Sequence, residues 1–355
     1  MNTVVHHSDI EENVRRHFDT IRKYRDIAKR EAGSQLSKLS PQSFQLSSLV
    51  PETVAIDSSY APLYQTSGMW LIAVRAVALK YGFSEDKKGT NYHLRGCEMN
   101  EGAELVTTSK LIAGELSTFT QELRDRTSAR KSEAPRRMGA LATILREFQL
   151  ANSMAKTLEK SIIMMDGTLT TPPITEIKEL AQDAVKSCER NGNILVGVSK
   201  DSSTNLFGSI ATDEELLRTV KGRELLYVKP PEPKRTALGP RGDVFFVKFH
   251  PDAPKWFRVD IAPPQSNPGD LLGSISQFAR NQLCPGYPFP LAEAHMVAVE
   301  LRKFPRVYDD LLFKVGREMG FDFDEIAWGR TNIEGRRRDA FHAYLDVLSK
   351  RGAVA

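Results

Sequence analysis

Cysteine is scarce in this chain of 355 residues: Cys97, Cys188 and Cys284 stand far apart and form no C-x-x-C pair. That spacing excludes a disulfide framework or a structural zinc site and suits a reducing compartment, so a cytoplasmic protein is expected. Tryptophan is limited to Trp70, Trp256 and Trp328, which we read as core residues rather than platforms for stacked bases. Long apolar runs are missing as well. Nothing approaches the length of a membrane span, and the first residues carry no signal-peptide core, so no membrane association is expected. Neither sign of charge dominates, because 49 lysines and arginines face 45 acids for a net charge of +4. Total charge therefore permits a nucleic-acid partner without requiring one, and local basic patches decide. The remainder, 41% hydrophobic and 26% charged, is the composition of a globular protein with a sizeable core.

Two short apolar runs each end in an aspartate. They are Val54-Ala55-Ile56-Asp57, followed by Ser58-Ser59, and Ile162-Ile163-Met164-Met165-Asp166, followed by Gly167-Thr168. Such a run reads as a buried strand that delivers a carboxylate at its tip. Two of them can unite carboxylates that lie far apart in sequence. Paired carboxylates hold Mg²⁺ or Mn²⁺, ions that serve the attacking and leaving oxygens of a phosphodiester. Taken singly, each Asp also reads as the start of a turn, so the rest of the chain has to decide.

Residues 10–32 read as a charged helix with a thin apolar stripe of Val14, Phe18, Ile21 and Ile27. It packs on the body or on a second subunit, since it cannot bury itself alone. A Ser/Gln-rich stretch, Gly33 to Ser48, reads as a loop. The apolar run Met69–Leu79 is expected to be a strand, the hairpin partner of the Asp57 strand through Ser67-Gly68. A polar loop, Ser84 to Asn91, and a strand near Glu104–Thr108 continue the meander.

Residues 137–160 give the clearest helix, with Leu141, Ile144, Leu145, Phe148, Ala151, Ala155 and Leu158 on one side. Glu147 projects inside that apolar arc. A carboxylate there is costly unless paired, protonated or bound to metal, and the other reading is an edge position reaching water. After the 162–166 strand come a helix over 174–190, closed by Asn191-Gly192, and a strand over 194–199 ending at Lys200. The order of elements fits a mixed sheet flanked by helices, with sites at strand ends. The stretch 229–242 reads as an exposed basic loop. Strands at 244–249 and 256–261 follow, the second carrying Asp260, and helical patterns run over 291–303, 308–319 and beyond Arg336.

Six segments in this order resemble the NurA nucleases. They are Ala55-Ile56-Asp57-Ser58-Ser59, the helix carrying Glu147, Met165-Asp166-Gly167-Thr168-Leu169, Val198-Ser199-Lys200-Asp201-Ser202, Arg258-Val259-Asp260 and Gly286-Tyr287-Pro288-Phe289-Pro290-Leu291-Ala292-Glu293-Ala294-His295. One position departs, because Ser58 stands where the family usually has Gly. That departure touches the local turn and not the carboxylate: Gly at position 58 is expected to leave metal affinity nearly unchanged if only the turn differs, whereas a large loss would mean that Ser58 itself contributes to the site.

The resemblance implies an α/β, RNase H-like mixed sheet flanked by helices, with N-terminal and C-terminal helical additions. The corresponding organisation is 1–48 (helix and linker), 49–305 (nuclease domain) and 306–355 (helical region). It further implies a Mn²⁺- or Mg²⁺-dependent DNA nuclease, with single-stranded endonuclease and 5′-to-3′ exonuclease activity. Such an enzyme works as a homodimer with a HerA-type hexameric ATPase in DNA end processing or defence against foreign DNA. Asp57, Glu147 and Asp166 are then metal ligands, and Tyr287 and His295 further active-site residues. His295 serves as a ligand or as a general acid, having an ordinary pKa near neutrality. Lys200 either holds the scissile phosphate or is a solvated turn lysine, and Asp260 is either a fourth carboxylate or an edge-strand residue. Lys234, Arg235 and Arg241, with the run Arg336-Arg337-Arg338, are candidates for gripping DNA phosphates. The alternatives are an RNA-directed or structure-specific nuclease on the same fold and a non-catalytic nucleic-acid-binding scaffold subunit of a translocase complex.

Overall fold

The computed structural model describes residues 7–321, apart from 37–38, 49, 66–68, 87–88, 108–133, 201, 203, 209–211, 219, 221, 223, 232–241, 282–283 and 303–304. In chain order its elements are α1 (His7–Leu36), β1 (Gln42–Ser43), β2 (Thr53–Gln65), β3 (Met69–Asp86) and β4 (Gly89–Thr107). Next come α2 (Ala134–Thr157), β5 (Ile162–Asp166), α3 (Thr175–Asn191), β6 (Ile194–Ser199), α4 (Asp213–Leu217) and β7 (Leu226–Val228). The last are β8 (Asp243–Lys248), β9 (Phe257–Ala262), α5 (Pro268–Phe278), α6 (Phe289–Val299), a 3₁₀ turn (Glu300–Arg302) and α7 (Pro305–Glu318).

A nine-stranded sheet runs β1-β7-β8-β9-β6-β5-β2-β3-β4. The antiparallel meander β2-β3-β4 continues into β5 and β6, which lie parallel to β2, and then into antiparallel β9, β8 and β7. This is the RNase H-like mixed sheet that the sequence led us to expect. Both faces are covered, which is why the central strands are almost wholly apolar instead of alternating. Val54, Ile56, Ile163 and Met165 point into the layer under α2 and α3. Their neighbours Ala55, Ile162 and Met164 point into the opposite layer, against α5 and α6. A smaller cluster of Phe207, Leu216, Leu217, Val228, Phe246 and Trp256 closes the β7–β8 end beneath α4. Trp70 and Trp256 are buried, as read from the sequence.

The structure corrects four local expectations. Asp57 does not end its strand, because β2 runs on to Gln65 and Asp57 pairs with Val77 of β3. What ends near Asp57 is the neighbouring pairing: the β2–β5 register stops at Ile56↔Met165, so the carboxylate emerges beside the tip of β5. The expected polar loop Ser84–Asn91 is instead the far end of a long hairpin, with Ser84↔Asn91, Glu85↔Thr90 and Asp86↔Gly89 in register. Likewise β4 begins at Gly89, well before Glu104. As the sheet's edge it needs only backbone ladder bonds and half-buried polar partners such as Lys80–Glu98, 2.5 Å apart, so it carries little apolar pattern. In place of a loop up to Ser48, α1 extends to Leu36 and β1 pairs with β7.

Candidate active site

Asp57 and Ser58, adjacent on β2, point to opposite faces of the sheet. Asp57 faces α6, where its Oδ2 lies 2.7 Å from His295 Nδ1. Ser58 faces α2, and its hydroxyl hydrogen-bonds Glu147 Oε1 while its backbone N–H donates to Asp57 Oδ1 at 2.7 Å. Asp166 closes β5 and accepts from Lys200 Nζ at 2.5 Å. Lys200, one residue beyond β6, also stands over the ring of Tyr287, 5.1 Å from its centroid. Five separate stretches of chain therefore converge where β2 outruns β5.

Electrostatics mark this convergence as unusual. Burial and then the Asp166 carboxylate push Asp57 up from its ordinary 3.8 to about 6, against the lowering effects of the Ser58 N–H, His295 and Lys200. Glu147 is 8% exposed and is driven well above its ordinary value, first by burial and then by Asp57. Of the two sequence readings of Glu147, the structure excludes the solvated edge. Tyr287 is also raised strongly, by burial and by Asp166. Its buried hydroxyl comes near that carboxylate without hydrogen-bond geometry, so it has no partner, and neither does the buried Ser59 hydroxyl.

The donor set suits a hard divalent cation. One oxygen each from Asp57 and Asp166 and one nitrogen from His295 lie within 4.8 Å of one another. The neighbouring Asp166 carboxylate and burial make ionised Asp57 costly, a cost that a bound cation would relieve. Glu147 falls outside that compact set and reaches it through Ser58.

Asp260 has a different place. It lies on β9, interior to the sheet and opposite Gly197 of β6, so it is no edge-strand residue. Its Oδ2 accepts from Leu169 N–H at 3.0 Å, and Arg258 holds both its oxygens at 2.8 and 3.0 Å. Arg258 also reaches Thr170 Oγ1 at 3.2 Å. Asp260 thus fixes the segment that follows Asp166. Gly197 belongs to the same device, because a Cβ there would lie 2.7 Å from Gly167 O. Neither role was read from the sequence, although the charged pair Arg258-x-Asp260 inside an apolar strand was a visible signal. Lys234, Arg235, Arg241, Trp328 and Arg336-Arg337-Arg338 lie outside the described residues.

Among the described residues no helix is long and apolar enough to cross a membrane. The chain's fold is similar to that of the NurA nuclease from Sulfolobus solfataricus, with a TM-score of 0.57 and 17% identity over 88% of this chain and 98% of that one. A second NurA crystal structure gives a TM-score of 0.48 and 11% identity, covering 86% of this chain and 97% of that one. A comparison with the curated proteins found no match. The model of the NurA domain matches residues 51–300, and by that match the chain belongs to the NurA family.

Proposed function

We propose that the chain is a divalent-metal-dependent DNA nuclease, cutting single strands internally and degrading DNA ends 5′ to 3′. Family membership supports a nuclease. The observation that carries the reading is the meeting of Asp57, Asp166 and His295 within 4.8 Å. Asp57, Asp166 and Glu147 hold the ion, with His295 as a further ligand or as the proton donor. Mn²⁺ or Mg²⁺ bound there would polarise the scissile phosphate and lower the pKa of water.

The side chains of the chain do the rest. Lys200, beside Asp166, offers its ammonium to a non-bridging phosphate oxygen, which frees the carboxylate it pairs with in the absence of substrate. Tyr287 directs its unpaired hydroxyl to the same group. The His295 side chain is 47% exposed, and its Nε2 makes no hydrogen bond among the described residues. Protonated, it can donate to the leaving 3′-oxygen while Asp57 orients the ring through Nδ1. The basic stretch with Lys234, Arg235 and Arg241 tracks the phosphate backbone. We assign this work to residues 49–305, with 1–48 and 306–355 as additions that serve a homodimer and a HerA-type hexameric ATPase.

Labelled single-stranded and duplex DNA incubated with Mn²⁺ tests the proposal. The unmodified chain is expected to cleave, and Asp57→Ala and Asp166→Ala to fall to background. Cleavage that survives both substitutions would remove the metal site from the mechanism. Binding without cleavage by the unmodified chain would instead establish a scaffold subunit.

A further inference from the structure

Among the described residues, Ser58 is the one that hydrogen-bonds both Asp57 and Glu147. Strand alternation places Asp57 toward α6 and Ser58 toward α2, so no carboxylate on α2 meets Asp57 across the strand unless something bridges them. Ser58 supplies the bridge, with its N–H on Asp57 Oδ1 at 2.7 Å and its hydroxyl on Glu147 Oε1. Among the described residues it is the hydrogen-bond donor to Glu147. That carboxylate otherwise stands in an apolar layer with Phe148, Ala151 and Met154. Glycine at position 58 would keep the N–H contact and lose the other.

We infer that Ser58 is a positioning residue that fixes the Glu147 carboxylate toward the Asp57–Asp166 pair. With Oε1 engaged by the Ser58 hydroxyl, Oε2 is the oxygen left to face the shared ion. A buried carboxylate with no such anchor keeps its full desolvation penalty and several rotamers, and it meets an ion less often in the right geometry. The role depends on the hydroxyl at position 58 and not on the backbone there. Of the two sequence-based expectations for position 58 it takes the one in which Ser58 itself contributes, since Ser58 lies inside β2 and not in a turn.

The inference rests on the metal-site reading, and Mn²⁺ affinity measured by calorimetry or by electron paramagnetic resonance, with no DNA present, tests both. Ser58→Ala is expected to weaken Mn²⁺ binding by on the order of 10–100-fold, the usual effect of removing a partner that orients a ligand. Ser58→Thr, which keeps the hydroxyl, is expected to retain affinity of the wild-type order. In a Glu147→Ala background the Ser58→Ala effect should vanish, because its target is gone. Wild-type Mn²⁺ binding that Ser58→Ala leaves unchanged would overturn the role of Ser58 alone, as would a Ser58→Ala loss that persists without Glu147. A wild-type chain that binds no Mn²⁺ would overturn the metal site and this role together.

Discussion

At the scale of single residues, the acid cluster costs the fold stability that a cation would return. Asp57 binds its proton more tightly when folded, with a pKa of about 6 against an ordinary 3.8. A carboxyl raised in this way supports the folded state fully below pH 3.8, and that support is lost as pH climbs towards 6. The loss is on the order of 3 kcal/mol for Asp57, and Glu147, raised for the same first reason, adds in the same direction. Urea unfolding in EDTA should therefore show stability falling from about pH 4 to 6. Asp57→Asn should flatten that slope and leave the metal-free protein more stable at pH 7. Added Mn²⁺ should stabilise the wild type at pH 7 and the Asn variant far less; equal stabilisation of both would mean that Asp57 holds no ion. The two aspartates were legible in the sequence because apolar runs ended on them, and Glu147 because it broke an apolar arc. The bridge at Ser58 was not legible. A serine after an aspartate looks the same in a turn and inside a strand, and only the register of β2 on β3 separates the two.

The elements explain how the site keeps its shape. Asp166 is followed by Gly167 at φ 118°, whose N–H donates to Val198 O at 2.9 Å. The segment then lies across β6 with the Asp260 carboxylate on Leu169 N–H. Gly197→Ala would drive a methyl into the Gly167 carbonyl, which is backbone and cannot swing aside. We expect a loss of about 1–3 kcal/mol in urea unfolding and a fall in cleavage, because the displaced segment carries Asp166 with it. Asp260→Asn should act through the same segment while leaving Arg258 without its charged partner, at about 3–5 kcal/mol. Unchanged cleavage and unfolding in both variants would show that the segment does not set the aspartate. The strands that carry ligands were readable from apolar runs bounded by small residues. Helix α5 was missed although its signals are ordinary: Asn267 caps Gly269 N–H, Pro268 opens the first turn, and Leu271, Leu272, Ile275 and Phe278 form one buried side. Strand β4 was mostly missed for a physical reason: none of its described residues is fully buried, so neither face supplies an apolar period to read.

For the whole molecule, α1 is the element that the body does not explain. It meets the rest of the chain at α4, where the Tyr24 hydroxyl donates to Glu215 Oε2 at 3.0 Å. Along its length Val14, Phe18, Ile21 and Ile27 remain exposed, with Phe18 at 64%. A helix of 30 residues is about 45 Å long, enough for a seam of several turns. Its charge is lopsided: residues 7–19 carry four acids and two bases, and residues 20–36 carry five bases and two acids. Two copies laid antiparallel would set each acidic half against the other's basic half and cover both apolar stripes. A parallel pair would set like against like. The homodimer we propose is therefore expected to form through antiparallel α1 helices. Light scattering after size exclusion should give twice the chain mass for the wild type and a single chain mass for Phe18→Glu with Ile21→Glu. Reversing Arg22 and Lys23 to Glu should weaken the dimer, and adding Glu11→Lys and Glu12→Lys to that variant should restore it. A restored dimer can come only from the antiparallel arrangement, because in a parallel pair the second reversal would not face the first. If the four-residue variant stays monomeric while the wild type is dimeric, the seam lies on another surface.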